Sequence, residues 1–209
     1  MSIYRQPYEK HDCRGGLDSG LVYYLLRKYA PPEQRNVVRI VFDQFPGGNV
    51  IREVCQSLAL AYGYTNFPEA TAQETQTPSE ATDLVLSHPP YWSAKKYTDD
   101  PNDLANCKTY EEFIGKLCDS IDEAERILKV GGYLIFICGD YRKEKVLYPI
   151  HSDIIQYTKK HDNFILRDYV FWEISASSTP MIGTEWMLMG NFCLVWEKVS
   201  KKSGTLDVF

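Results

Sequence analysis

The chain has no cysteine pair at CxxC spacing, no excess of positive charge, and no apolar run near the roughly 18 residues that a membrane helix needs. Each absence excludes something. The six cysteines, Cys13, Cys55, Cys107, Cys118, Cys138 and Cys193, are scattered, several inside apolar runs. That is the pattern of small buried hydrophobes in a reducing compartment, not of a disulfide framework. A formal net charge of −5 argues against broad attraction to nucleic acid, so any such role needs a local basic patch or a basic partner. The start, MSIYRQPYEK, is too polar for a signal peptide, and the expectation is a soluble, intracellular, cytoplasmic protein without a membrane span. Histidine is scarce as well: His11, His88, His151 and His161 show no metal-ligand spacing, so no metal site is expected.

What is present suits one domain. At 209 residues, with 44% hydrophobic and 24% charged content, the chain is long enough for a real core and short for two, so residues 1–209 are expected to form a single unit. Residues 1–16 read as a polar, turn-rich loop; Leu17, Leu21, Tyr24, Leu25 and Tyr29 then recur at helical spacing, with Asp18 or Ser19 as cap and Pro31-Pro32 as stop. Val37–Phe42 is a β-branched run ending in Asp43-Gln44-Phe45-Pro46-Gly47-Gly48-Asn49, and a helical pattern follows from Val50 to Leu60. Strand, glycine turn, helix is a nucleotide-binding arrangement, because the glycines admit a ligand to the backbone and the helix N-terminus favours electronegative groups. A plain strand-to-helix turn would use the same residues.

From Thr65 to Thr82 no apolar period is visible, and the segment reads as a long polar connection. Leu84-Val85-Leu86 is the short continuous apolar run of a strand covered on both faces, and Pro89-Pro90 cannot extend a ladder. The strand therefore stops at His88. His88, the Pro89 carbonyl, Tyr91 and Trp92 become a stiff rim at a strand's C-terminal end, which is where open α/β sheets bind ligands. Ser93–Asn106, with Lys95, Lys96 and Tyr97, reads as a surface loop or a flap over that rim. Thr109 and Glu112 form a capping box for a long helix that Gly131 closes; Tyr133–Cys138 is the next buried strand, Ile150–Tyr157 a short helix, and Phe164–Ile174 and Phe192–Val199 the last strands. Repeated strand-helix units with a closing strand pair predict an α/β fold with a doubly wound, mostly parallel sheet. The tail lysines Lys198, Lys201 and Lys202 read as a solvated end.

Taken in order, His88-Pro89-Pro90-Tyr91-Trp92, Thr109-Tyr110-Glu111-Glu112-Phe113, Arg126-Ile127-Leu128-Lys129-Val130-Gly131-Gly132, Cys138-Gly139-Asp140-Tyr141-Arg142 and Leu166–Glu173 resemble the amino-methyltransferases that methylate exocyclic nitrogens of DNA bases, adenine N6 or cytosine N4. The resemblance covers most of the chain. It implies a Rossmann-like methyltransferase fold with an antiparallel closing strand, S-adenosyl-L-methionine as cofactor, DNA as partner ahead of RNA, and a role in DNA methylation of the restriction-modification kind. The family's cofactor turn, Asp-Pro-Phe-x-Gly-x-Gly, falls on Asp43 to Asn49, with Gln44 in place of proline and Asn49 in place of a glycine, a left-handed position that asparagine tolerates. Cofactor contacts are thus implied for Asp43, Phe45, Gly47, Gly48 and Asn49, for Arg14 in the loop before the first helix, and for Glu69 as the acid beyond the second strand.

The family's Pro-Pro loop implies that the Pro89 carbonyl and the His88 ring each accept one hydrogen of the target amine. Pro90 then stiffens the loop, Tyr91 stacks on a base flipped from the duplex, and Trp92, Lys96 and Tyr97 contact substrate. His88 stands where the family has Ser, Asn or Asp, and a histidine accepts only when neutral, so activity is expected to fall below about pH 6.5. No segment is large enough for a separate target-recognition domain. Target choice is expected to fall to the loops 93–106 and 175–191, to a partner subunit, or to a homodimer. Methylation of RNA or of a protein glutamine, and a degenerate non-catalytic subunit, are the alternatives.

Overall fold

Side chains on the central strands alternate between two hydrophobic clusters, and this period of two builds the whole domain. Leu84 and Leu86, Ile135 and Ile137, and Cys193 and Val195 face one cluster; Val85, Leu134, Phe136, Leu194 and Trp196 face the other. A sheet buried on both sides reads as a continuous apolar run, as 84–86 and 134–138 do. The computed structural model describes residues 2–5, 16–31, 39–67, 69–173 and 190–201.

The strands are β1 (Ser2–Arg5), β2 (Ile40–Asp43), β3 (Ala61–Tyr64), β4 (Thr82–Ser87), β5 (Leu128–Cys138), β6 (Tyr141–Lys143), β7 (Val146–Tyr148), β8 (Phe164–Glu173) and β9 (Gly190–Lys198). The helices are α1 (Ser19–Tyr29), α2 (Val50–Ser57), α3 (Tyr110–Ile127) and α4 (Ile150–Thr158). Seven strands form one sheet in the order β1-β8-β9-β5-β4-β2-β3. Among the described strands of this sheet, β9 alone runs against its neighbours, pairing antiparallel with β5 and with β8. The expected doubly wound, mostly parallel sheet with an antiparallel closing strand is what the chain forms. Helices α1 and α2 cover one face and α3 and α4 the other, each through its apolar stripe.

The helix starts follow their capping residues. Asp18 Oδ1 accepts the Leu21 N–H at 2.7 Å, and Thr109 Oγ1 accepts the Glu112 N–H at 3.2 Å. Among the described residues Cys55, Cys107, Cys118, Cys138 and Cys193 are free and buried, as the sequence led one to expect. No helix among them is long and apolar enough to cross a membrane. His151 and His161 are held by carboxylates, Asp140 and Glu125, each at 2.5 Å.

Several expectations need correction. Residues 2–5 form an edge strand, not loop, because β8 offers them a free parallel edge. The strand at the sheet's other edge, β3, was hidden in Ala-Tyr-Gly-Tyr, too short and mixed to stand out. Gly131 does not close α3. The helix stops at Ile127, Leu128 is already extended, and the two glycines lie within β5, where the register with β4 shifts between Thr82 and Leu84. Gly131 has φ +82, and a Cβ on Gly132 would meet the Asp83 and Lys129 carbonyls at 2.9 Å, so this bulge requires glycine. Lys198 is not a solvated end but 7% exposed, its Nζ donating to the Glu125 and Leu128 carbonyls. The hairpin of β6 and β7 was not foreseen at all.

Candidate functional site

The sheet's strand order reverses between β2 and β4, so the crevice at their C-terminal ends is the natural ligand position. A cavity of about 440 Å³ opens there. Its walls come from both stretches singled out in the sequence: Asp43, Phe45, Gly47 and Gly48 on one side and His88, Pro89 and Pro90 on the other. The two motifs lie 45 residues apart in the chain, from Asp43 to His88, and register brings them together because Asp43 pairs with Leu86.

Asp43 ends β2 and is 1% exposed. Its Oδ2 accepts the Tyr62 hydroxyl at 3.0 Å, while Oδ1 has no partner. Burial pushes this carboxyl up to about 6, against the pull of the Tyr62 hydroxyl, the Phe45 N–H and Arg52. Thr65 borders the same cavity, and its buried Oγ1 also has no partner. Two unpaired buried oxygens beside one cavity are costly to the fold.

The glycine turn is built differently from expectation. Asn49 caps α2 in right-handed geometry, φ −88 and ψ −5, and neither Gly47 nor Gly48 has positive φ. Left-handed tolerance therefore explains nothing here. A Cβ at Gly47 or Gly48 would meet no protein atom within 4 Å; both residues border the cavity, so their bareness leaves room for a ligand. Gln44 is the residue sequence reasoning undervalued. Its N–H donates to the Leu86 carbonyl at 3.1 Å, and its side-chain amide donates to the Ala72 and Ser120 carbonyls at 2.7 Å each and accepts from Ser87. One side chain thus ties β2, β4, α3 and the connection 65–81 around the cavity.

His88 is half-buried and borders the cavity, and its Nε2 lies 3.1 Å from the Tyr91 hydroxyl. Burial pushes the imidazole down to about 4, so it is neutral through the physiological range. The expected loss of activity near pH 6.5 is therefore displaced well into acid. Burial also holds the Tyr91 hydroxyl protonated far above its usual value, although the Gly139 N–H hydrogen-bonded to it pulls the other way.

The remaining sequence candidates divide. Tyr97 borders the cavity, joined by its neighbour Lys95. Lys96 does not border it; it is exposed and paired with Asp99. Trp92 is 5% exposed, with its Nε1–H donated to the Cys107 carbonyl at 3.0 Å and its ring packed on Tyr110, Tyr141 and Tyr148, which makes it a support. Glu69 is exposed and away from the cavity, because β3 ends at Tyr64 and the residue facing the ligand space just beyond it is Thr65. Knowing where β3 ended would have pointed to Thr65. Arg14 and the loop 175–189 lie outside the described residues.

Comparison with known proteins bears on the family and on the fold. A family model described as DNA methylase, the N6/N4 methyltransferases, matches residues 82–204, more than half of the chain. No curated protein matches. Among solved structures, a candidate DNA modification methylase from Thermus thermophilus, complexed with S-adenosyl-L-methionine, is 21% identical with a TM-score of 0.45, over 82% of this chain and 57% of that one. This chain thus spans less than two thirds of that protein's length. Loganic acid methyltransferase with SAH is 10% identical, TM-score 0.55, over 87% and 92% of the two chains. TrmN from Thermus thermophilus is 15% identical, TM-score 0.50, over 90% of this chain and 51% of that one. At such identities the last two likenesses speak to the fold, that of Rossmann-like methyltransferases.

Proposed function

Because the chain belongs to the N6/N4 methyltransferase family of DNA methylases, we propose that it transfers a methyl group from S-adenosyl-L-methionine to the exocyclic amino group of a DNA base, cytosine N4 or adenine N6. The observation that supports this reading most is the shared cavity: one space bordered by the glycine turn and by the His-Pro-Pro loop, with the partly unsatisfied polar residues Asp43 and Thr65 on its border.

The residues present fit the cofactor. The space of about 440 Å³ is within the usual range for small-molecule sites. Asp43 and Thr65 bring polar groups to its border for the cofactor's hydroxyl and ammonium donors, Leu17, Phe45 and Phe67 offer apolar walls, and Gly47 and Gly48 leave the backbone approachable. Bound there, S-adenosyl-L-methionine supplies an electrophilic methyl group. The protein's task is to orient a poor nucleophile, since an exocyclic amine's lone pair is delocalised into its ring.

His88 and the Pro89 carbonyl each take one amino hydrogen, which turns the nitrogen lone pair towards the methyl group. A neutral imidazole has one donor and one acceptor nitrogen. For His88 to accept at Nδ1, its proton sits on Nε2 and is donated to the Tyr91 oxygen 3.1 Å away. Tyr91 in this reading fixes the tautomer of its neighbour besides offering its ring to the base. With a pKa of about 4, His88 is too weak a base to keep the proton the amine sheds; it orients the amine and passes that proton to solvent. The whole chain acts as one catalytic unit, with target choice resting on loops beside the cavity or on a further subunit.

The test is mass spectrometry of nucleosides from duplex DNA and from RNA, each incubated with the protein and methyl-deuterated cofactor. Label in a deoxynucleoside is expected. Label confined to RNA, or none despite cofactor binding, would overturn the reading.

A further inference from the structure

The β6–β7 hairpin follows β5 directly and pairs Tyr141 with Tyr148, Arg142 with Leu147 and Lys143 with Val146. Its two-residue turn, Glu144-Lys145, has positive φ at both positions, 51 and 67. That is the geometry of the tight hairpin turn that Asn-Gly fills without strain. This chain instead spends two charged residues there, at a conformational cost.

Three cations stand within four residues, Arg142, Lys143 and Lys145, and none is ion-paired with another described residue. Elsewhere carboxylates neutralise several described cations, Lys28 by Asp168, Lys129 by Asp83 and Arg167 by Glu197 among them, so what marks the hairpin is three cations so close together. In a protein of net charge −5 this hairpin is the local basic patch that nucleic-acid binding would require. The acid just before it, Asp140, is engaged by His151.

The hairpin is also rigidly placed. Trp92, one residue past the His88–Tyr91 loop, has Tyr141 and Tyr148 against its ring at centroid distances of 5.8 and 5.1 Å and Lys143 Nζ over it at 4.6 Å. Ser93 Oγ and the Tyr141 hydroxyl are 3.4 Å apart. The patch therefore moves with the loop that would hold the target base.

We propose that this hairpin is the protein's duplex-docking element, with Arg142 and Lys145 on the phosphates flanking the extruded base and Trp92, held under Lys143, fixing the distance from those contacts to His88. This rests on the DNA-methylation reading. A two-stranded ribbon is narrow enough to enter a major groove, and exposed Val146 and Leu147 lie on it beside the cations.

The experiment measures duplex DNA affinity by fluorescence anisotropy across a salt series, with cofactor affinity by calorimetry as control. The variant Arg142→Gln/Glu144→Asn/Lys145→Gly keeps the turn, since Asn-Gly suits it, and removes two cations with one anion, so the net positive charge falls by one and the phosphate contacts by two. Each phosphate contact contributes about 0.9 to the slope of log affinity against log salt, so the slope should become shallower by about 1.8, with cofactor affinity unchanged. Leu147→Lys, an added cation on the same ribbon, should steepen it by about 0.9. If the wild type binds duplex DNA and neither variant moves the slope, the docking surface is wrong while the methylation reading stands. Wild type that binds only RNA, or no nucleic acid, sinks both.

Discussion

Replacing Asp43 by asparagine should stabilise the empty protein and weaken its grip on the cofactor, two effects of opposite sign from one atom. The carboxyl is 1% exposed, has an unpartnered Oδ1, and is pushed up to about 6 from 3.8 by burial. A carboxyl whose folded pKa is raised contributes its full stability below 3.8 and loses it as pH rises through about 6. Above that, the buried charge costs about 3 kcal/mol, at about 1.4 kcal/mol per unit. Asparagine retains an oxygen for the Tyr62 hydroxyl and carries no charge. At pH 7.5 the melting temperature of Asp43→Asn should therefore rise, by at most about 6–12 °C for a chain of this length, and the gain should shrink to about half at pH 5. Cofactor affinity should fall about 10- to 100-fold, because a charged acceptor is worth about 1.5–3 kcal/mol to its donors. Differential scanning fluorimetry and titration calorimetry read the two arms. A variant that melts no higher than wild type at pH 7.5 and binds the cofactor within twofold would refute the assignment of Asp43 as a ligand-facing carboxylate.

Other outcomes follow from the same geometry. Tyr91→Phe removes the hydroxyl beside His88 Nε2 and should lower kcat about tenfold, one hydrogen bond's worth, without altering cofactor affinity; nitrogen NMR of the imidazole should show the Nε2–H tautomer weakened. With saturating cofactor, kcat should stay level from pH 8 to about 5.5 because His88 titrates near 4, whereas kcat/KM for the cofactor should drop below about 6 as Asp43 is protonated, a drop absent from Asp43→Asn. Gln44→Pro, which restores the residue usual in the family, should destabilise by at least about 3 kcal/mol in urea unfolding, since it deletes one sheet hydrogen bond and three buried side-chain ones. Gly132→Ala should cost about 1–3 kcal/mol through its 2.9 Å approaches to the Asp83 and Lys129 carbonyls, read as a lower urea midpoint.

The fold was legible where burial on both faces leaves an uninterrupted apolar run, as in β4 and β5, and where a cap announces a helix, as at Asp18 and Thr109. It was not legible at the edges. β1 and β3 are four residues each and owe their conformation to a neighbour's free edge, which no local pattern records. The cavity's two walls were both named from sequence because glycine and proline loops interrupt strands so visibly. What escaped was burial chemistry. Sequence alone implies an ordinary imidazole at His88, a mere departure from proline at Gln44 and a substrate contact at Trp92, whereas burial depresses the imidazole, the Gln44 amide ties four segments together and Trp92 supports the hairpin. Thr65 could not be found without the end of β3, and Glu69 was the nearest acid in the sequence, not in space.

The most direct measurement is tandem mass spectrometry that locates the deuterated methyl group on the base, run with wild type and His88→Ala at equal cofactor occupancy. The account predicts label on an exocyclic nitrogen of deoxycytidine or deoxyadenosine with wild type, and loss of most of it with His88→Ala while cofactor binding persists. Label on a ring carbon or ring nitrogen, or label undiminished in His88→Ala, would contradict it.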